Sequence, residues 1–206
     1  MTPLTRLLIA TNNPGKVREY QDLLEGLALP VAVTYPAQEG LLLDVEESGD
    51  TFSENARIKA TAYAKSSGML TLADDSGLEV DALGGAPGVR SARYAGPGAT
   101  DVDRYRKLLA ALEGVSESQR SARFRCVIAI APVQGPVLTA EGTCEGRIGL
   151  VPRGDHGFGY DPVFVVAGHG SQTMAELDPA TKNRISHRAR AVTAAAPLLA
   201  QLVAAA

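Results

Sequence analysis

The sequence predicts an α/β fold with a mixed sheet, and three observations carry that expectation. Short apolar runs alternate with segments of helical period through the first half of the chain. Strand-like runs then follow one another directly between residues 123 and 148, as hairpin-connected, antiparallel strands do. At 206 residues, 45% of them hydrophobic, the chain can bury one substantial core or build two lobes that share a cleft.

The elements follow in order. Arg6–Ala10 reads as a short buried strand, and Thr11-Asn12-Asn13-Pro14-Gly15 as the turn after it. Val17, Tyr20, Leu23, Leu24 and Leu27 recur at helical spacing up to a stop near Gly26. Val31–Tyr35 is a second strand, ended by Pro36. Thr51-Phe52-Ser53-Glu54 has capping-box form and opens a helix that runs to Gly68. Met69–Ala73 is a strand entering the polar stretch Asp74-Asp75-Ser76-Gly77, and Leu78–Ala82 leaves it as another. A third helix carries Val102, Tyr105, Leu108, Leu109 and Leu112, closed by Gly114. Arg123–Ala131 and Val137–Ile148 form a hairpin, and Pro162–Val166 is one more strand. Asp178-Pro179 starts a helix with proline in its first turn, and Ser186 introduces an Ala-rich helix with an expected kink at Pro197.

The bulk numbers exclude several classes. Net charge is -3, and no Lys/Arg run forms a stripe for a phosphate backbone, which disfavours a nucleic-acid partner. Cys126 and Cys144 lack CxxC spacing and read as core residues. The apolar run within Met1–Ala10 is too short for a signal h-region, and no segment reaches the roughly 18 apolar residues of a membrane span. A cytoplasmic protein without a membrane partner is expected.

Four constellations carry chemistry. Thr11-Asn12-Asn13-Pro14-Gly15-Lys16 joins a strand to a helix N-terminus, where unsatisfied amides and Lys16 can receive an anion. It is not a Walker A loop, because Ala10 replaces a required glycine and Val17 stands at the Ser/Thr position. The competing reading is an ordinary turn with a solvated lysine. Asp74-Asp75-Ser76-Gly77 places two carboxylates side by side at a strand end, a repulsion that a divalent cation relieves. Its hard oxygen ligands suit Mg²⁺ rather than zinc, and Glu46 and Glu47 supply a second acidic loop. Without them the segment would read as a plain Asp-rich turn.

Gly157-Phe158-Gly159-Tyr160-Asp161-Pro162 lets backbone and ring approach a ligand closely, with Phe158 as a stacking platform. The alternative makes Phe158 and Tyr160 core residues of a bend. Lys182, His187 and Arg188 sit near helix starts, where cations oppose the macrodipole, and together fit a clamp for phosphate and base. No Ser-His-Asp or Cys-His order is present, so no covalent intermediate is expected.

The strings TNNPGK, TFSENA, ADDSGLEVDALGGAPGVRSARYAG, FGYDPVF and KNRISHR occur in this order and cover nearly the whole chain. In them the sequence resembles the inosine triphosphate pyrophosphatase (XTP/dITP diphosphatase) family. The resemblance implies an elongated mixed α/β domain over residues 1–206, two lobes around a deep cleft, and a homodimer. It implies Mg²⁺-dependent hydrolysis of ITP, dITP and XTP to the monophosphate and pyrophosphate. Thr11, Asn12, Asn13, Pro14, Gly15 and Lys16 would hold the triphosphate. Asp75 would accept a proton and bind the metal, with Glu46 as second ligand and Glu47 competing for that role. Ser76, Lys182, His187 and Arg188 would contact substrate, and Phe158, Gly159, Tyr160 and Asp161 would form the base pocket. A pyrophosphatase for pyrimidine or modified nucleotides, and a non-catalytic nucleotide- or RNA-binding module, are the rival readings.

Overall fold

The computed structural model describes residues 4–204, so Met1–Pro3 of the N-terminal reading, and Ala205 and Ala206, lie outside the described residues. Strands β1 (Thr5–Ile9) and β2 (Val31–Thr34) pair in parallel with Leu7 opposite Val33. Between them runs helix α1 (Pro14–Glu25), which buries Val17, Tyr20 and Leu24, the positions of the apolar stripe. Helix α2 (Phe52–Ser67) opens on the Thr51/Glu54 capping box and closes at Gly68, whose φ of 68° is the left-handed cap that glycine accepts most readily. Strand β3 (Leu70–Val80) then lies parallel to β1, with Leu8 opposite Thr71.

Helix α3 (Asp101–Ala111) precedes the long strands β4 (Ser121–Ala131) and β5 (Leu138–Ile148). Strand β6 (Phe164–Val166) pairs antiparallel with β5, Gly146 facing Val166. Helices α4 (Pro179–Ile185) and α5 (His187–Ala204) complete the described chain, α5 running on through Pro197. The strand order is β2-β1-β3-β4-β5-β6. Parallel pairing at one edge and antiparallel pairing at the other make the mixed sheet the sequence predicts.

Two elements differ from the sequence reading. Residues 69–82 were expected as two strands flanking an Asp-Asp-Ser-Gly turn, but β3 is one continuous 11-residue strand through that stretch. Turn propensity loses to tertiary ties: Lys59 Nζ donates to the Asp74 carbonyl, and the Leu78 amide donates to Ser91 Oγ at 2.9 Å. At the other site, Asp161–Val163 forms a single 3₁₀ turn and β6 starts only at Phe164. Pro162 has no N–H to offer a ladder and fixes φ near the helical range.

The chain read as one domain gathers into two compact units, each with its own core. The first comprises residues up to Asp75, Cys126–Gly142 and the chain from Ala189 on. Leu7, Ile9, Tyr20, Leu72, Ile128 and Val192 are central to its core. The second comprises Ser76–Arg125 and Thr143–Arg188, with Leu78, Leu108, Leu112, Phe124, Phe164 and Met174 in its core.

Ser91 ties the second unit together at three points. Its hydroxyl accepts the Leu78 N–H and donates to the Gly88 carbonyl at 2.6 Å, and its own carbonyl accepts the Tyr160 hydroxyl at 2.9 Å. Ser91→Ala leaves the Leu78 amide without its acceptor, at a cost of about 1–3 kcal/mol. Thermal unfolding of the variant is expected to begin several degrees lower; an unchanged Tm would show that another acceptor takes that amide.

Candidate active site

The first unit collects an acidic group with two lysines threaded through it. Asp74 and Asp75 are consecutive in β3, so their side chains leave opposite faces of the strand. Asp74, almost fully buried, accepts Lys16 Nζ at 2.9 Å, and the Cys126 thiol lies 3.9 Å from the same oxygen. Asp75, also buried, accepts Asn55 Nδ2 at 3.0 Å. Lys59 pairs with Glu47 and donates to the Asp74 carbonyl. Burial alone would lower the Lys59 ammonium, but the charges of Asp74, Glu47 and Asp75 outweigh it and hold the group above its usual range.

The neighbouring carboxylates were expected to repel each other directly. What Asp75 feels instead is burial, then the negative charge of Glu47, only partly offset by Asn55, Lys59 and Lys16. Together they push its carboxyl up to about 6. Its twin Asp74 is committed to Lys16, so the two residues have different environments and different uses. The second acidic loop is an extended segment in which alternate residues face inward. Glu47 is on the inward side, whereas Glu46, the expected ligand, is exposed.

Five charged groups thus lie within electrostatic reach of one another around β3: Asp74, Asp75 and Glu47 against Lys16 and Lys59. Three negative and two positive charges leave one negative in excess near neutral pH. A polyanion meeting that field is repelled, while one divalent cation turns the balance to one positive. Among the described residues no three acidic, His or Cys side chains converge on a ready-made cage. Mg²⁺ typically takes one or two carboxylates and fills its octahedron with water and substrate phosphate, so Asp75 and Glu47 fit it as donors.

A cavity of about 200 Å³ opens beside this group, lined by Thr11, Asn12, Glu47, Lys59 and Tyr63 among others. The expected anion cradle at the α1 N-terminus is partly occupied by its own cap. The Asn13 side chain accepts the amides of Gly15 at 2.8 Å and Lys16 at 3.2 Å, and Thr11 Oγ1 accepts the Asn13 amide. Asn13 and Pro14 are exposed. An anion docking there therefore displaces the Asn13 carboxamide or meets the side chains of Thr11, Asn12 and Lys16.

The second unit gathers Ser76 and the remaining predicted residues. Phe158, half-buried, has Lys182 Nζ 5.0 Å and Arg188 Cζ 5.6 Å from its ring centre, within cation–π range. Lys182 pairs with Asp161 at 2.8 Å, both nearly fully buried. The Asp161 carboxylate also accepts the Phe158 amide at 3.0 Å, and a Cβ on Gly157 would overlap it. Arg188 is 2% exposed and donates to Ser76 Oγ at 3.2 Å. His187 stacks on Phe124 with ring centres 4.8 Å apart. Tyr160 is buried, which raises its phenol above the usual range, and its hydroxyl is held by the Ser91 carbonyl. It is an anchor of the loop, as the core reading of that residue had it.

Asn55, Lys59 and Tyr63 were not singled out from sequence. They stand at i, i+4 and i+8 of α2, so three polar groups share one face of a helix whose other inward positions are apolar. Asn55 reaches Asp75, Lys59 reaches Glu47, and the Tyr63 hydroxyl donates to the Leu43 carbonyl at 3.0 Å. That spacing was the available signal.

A profile of the Ham1 family matches residues 7–198. A dITP/XTP pyrophosphatase of Desulforamulus reducens is 52% identical over 197 residues, covering 96% of each chain. The dITP/XTP pyrophosphatase of Bacillus subtilis is 46% identical over 97% of this chain and 99% of its own. Among solved structures, a HAM1 protein from Coxiella burnetii superposes with a TM-score of 0.86 at 45% identity, over 96% of this chain and all of that one.

A buried carboxyl raised to about 6 burdens the fold. Between its ordinary pKa and 6 the folded state holds the extra proton, so stability falls as pH rises through that window. Asp75→Asn removes the burden, worth at most about 3 kcal/mol at ~1.4 kcal/mol per unit. In metal-free protein the variant is expected to melt several degrees above the parent at pH 8 and together with it near pH 4. A variant less stable than the parent at pH 8 would contradict this electrostatic reading.

Proposed function

The chain belongs to the Ham1 family, and from that premise we propose that it hydrolyses ITP, dITP and XTP to the monophosphate and pyrophosphate, clearing them from the nucleotide pool. The observation that carries the proposal is the full-length likeness to proteins named dITP/XTP pyrophosphatase. The residue roles are those the resemblance implies, with the contacts within each unit supporting Asp75, Glu47, Lys16, Phe158 and Arg188.

Asp75 accepts the proton of the attacking water. In the metal-free protein burial and Glu47 push this carboxyl up to about 6, so it is mostly ionised at neutral pH and able to accept a proton. Asn55 fixes its orientation. Asp75 and the Glu46–Glu47 loop, with Glu47 the better placed of the two, would hold Mg²⁺, which would supply charge neutralisation at the phosphates. Lys16 and Lys59 steady the triphosphate, with Thr11, Asn12, Asn13, Pro14 and Gly15 forming the turn that receives it. Phe158 stacks on the base, and Gly159, Tyr160 and Asp161 shape its pocket. Lys182, His187, Arg188 and Ser76 complete the contacts to base and sugar-phosphate.

Arg188 is the residue proposed to reject adenine, while GTP shares the C6 oxygen and its exclusion turns on the 2-amino position. ITP and XTP carry an oxygen at C6 and ATP an amino group, so a buried guanidinium gains a charge-assisted bond from the first two and meets another donor in ATP. Its near-complete burial supports this use, because the bond is then made out of water. A cytoplasmic homodimer completes the proposal, and among the described residues no helix is long and apolar enough to cross a membrane.

A panel of ITP, XTP, dATP and dUTP with Mg²⁺, analysed for pyrophosphate and orthophosphate, tests the substrate class. Pyrophosphate from ITP and XTP is expected; preference for dUTP, or orthophosphate as product, would overturn the assignment. Asp75→Asn should lower kcat at least ~100-fold, the usual contribution of a general base. Full activity in that variant removes Asp75 from the role. Arg188→Ala should narrow the ITP-over-ATP ratio of kcat/KM by about tenfold or more, the worth of one charge-assisted bond. An unchanged ratio takes Arg188 out of base reading.

A further inference from the structure

The loop that carries Phe158 presents a physical problem. It is flanked by Gly157 at φ 81° and Gly159 at φ 66°, two residues with more backbone freedom than any other type. An aromatic platform between two glycines is a poor platform unless something outside the loop fixes it, because ordering it costs conformational entropy at each binding event. Asp161, three residues along, holds the Phe158 amide from within the loop. The next amide is held from a different element.

Gly159 donates its N–H to Asp101 Oδ2 at 2.8 Å, across 58 residues of sequence. Asp101 is the first residue of α3, but the capping of that helix is done by others. Thr100 Oγ1 accepts the Asp103 amide, and the Asp103 carboxylate accepts the Thr100 amide at 2.9 Å. The Asp101 carboxylate is thus spared that work and turned toward the loop. Its other oxygen is paired with Arg104, whose second nitrogen donates to the Ala99 carbonyl at 2.8 Å, so the acceptor is itself braced. Consecutive amides, of Phe158 and Gly159, are therefore anchored to two carboxylates on two different elements. Together they fix the two peptide planes that flank the Phe158 Cα, the second of them through Asp101.

We propose that Asp101 is a positioning residue for base recognition: through the Gly159 amide it holds Phe158 in the pose that Lys182 and Arg188 face, and it touches no substrate itself. This rests on the reading of Phe158 as the base platform. The loss of Asp101 loosens the platform and leaves the acidic group around Asp75 as it is, so it acts on substrate affinity and base choice rather than on the chemical step.

The test compares the full chain with Asp101→Ala and Asp101→Asn. Asparagine keeps an oxygen acceptor for Gly159 while removing the charge. For Asp101→Ala, KM for ITP is expected to rise about tenfold, with kcat within about twofold and a smaller ITP-over-ATP ratio, the scale of one charge-assisted hydrogen bond. Asp101→Asn is expected to recover most of the lost affinity. Hydrogen–deuterium exchange over residues 157–160 runs alongside and needs no substrate: faster exchange in the alanine variant and near-parental exchange in the asparagine variant are expected. Unchanged KM and base ratio in Asp101→Ala, or an asparagine variant as impaired as the alanine one, overturns the proposal. If the parent fails to cleave ITP at all, the proposed function falls. The exchange data then still decide whether Asp101 pins the loop.

Discussion

Three carboxylates and two ammonium groups gathered around β3 in the first unit set the terms for the rest of that unit. Buried like charges cannot be left to water, so each must be answered by a named partner. Asp74 is answered by Lys16 from the start of α1, Glu47 by Lys59 from α2, and Asp75 by Asn55 from the same helix. The elements that carry those partners are therefore fixed around β3 by electrostatics as well as by packing. The balance remains one charge short of neutral, and the residue that bears the shortfall is Asp75. A fold optimised only for stability would place an asparagine there. An aspartate there costs stability above about pH 6, and the role proposed for it as proton acceptor is a use that asparagine could not fill.

The second unit solves a different problem, holding an aromatic ring and two cations in register with little regular structure to lean on. Loop 157–160 has no strand or helix of its own. Its position comes from side-chain acceptors and one carbonyl: Asp161 for Phe158, Asp101 for Gly159 and Ser91 for Tyr160. Arg188 is buried in the first turn of α5, where helix electrostatics alone would not put a cation. Lys182, read from sequence as lying near a helix start, is buried in the last turn of α4, where the dipole favours it. Their partners, Ser76 and Asp161, come from other segments of the same unit. Ser76 follows Asp75 along β3, so a single peptide bond joins the residue read as catalytic to one read as a substrate contact.

Much of this was legible in the chain itself. Helical periodicity placed α1 and α3 to within a residue or two, and the Thr51/Glu54 capping box marked the start of α2. The Asp74–Gly77 stretch was misread as a turn because its residues favour turns locally, whereas Lys59 and Ser91 hold it extended from a distance. The same limit hid Asn55 and Lys59: a lysine on an amphipathic helix looks like any solvated lysine until its facing carboxylates are known. Glu46 and Glu47 could not be separated by composition, but an extended backbone sends neighbours to opposite sides, and only Glu47 turns inward. Asp101 has nothing in its surroundings in sequence to connect it to a loop 58 residues away.

The claim on which the account stands is that this surplus negative charge admits a polyphosphate only when a divalent cation balances it. The most direct measurement is the affinity of the protein for a non-hydrolysable ITP analogue, first stripped of metal with a chelator and then with Mg²⁺ restored. The account predicts binding at least about tenfold weaker without the cation, a difference of ~1.4 kcal/mol or more. Equal affinity under the two conditions would contradict it.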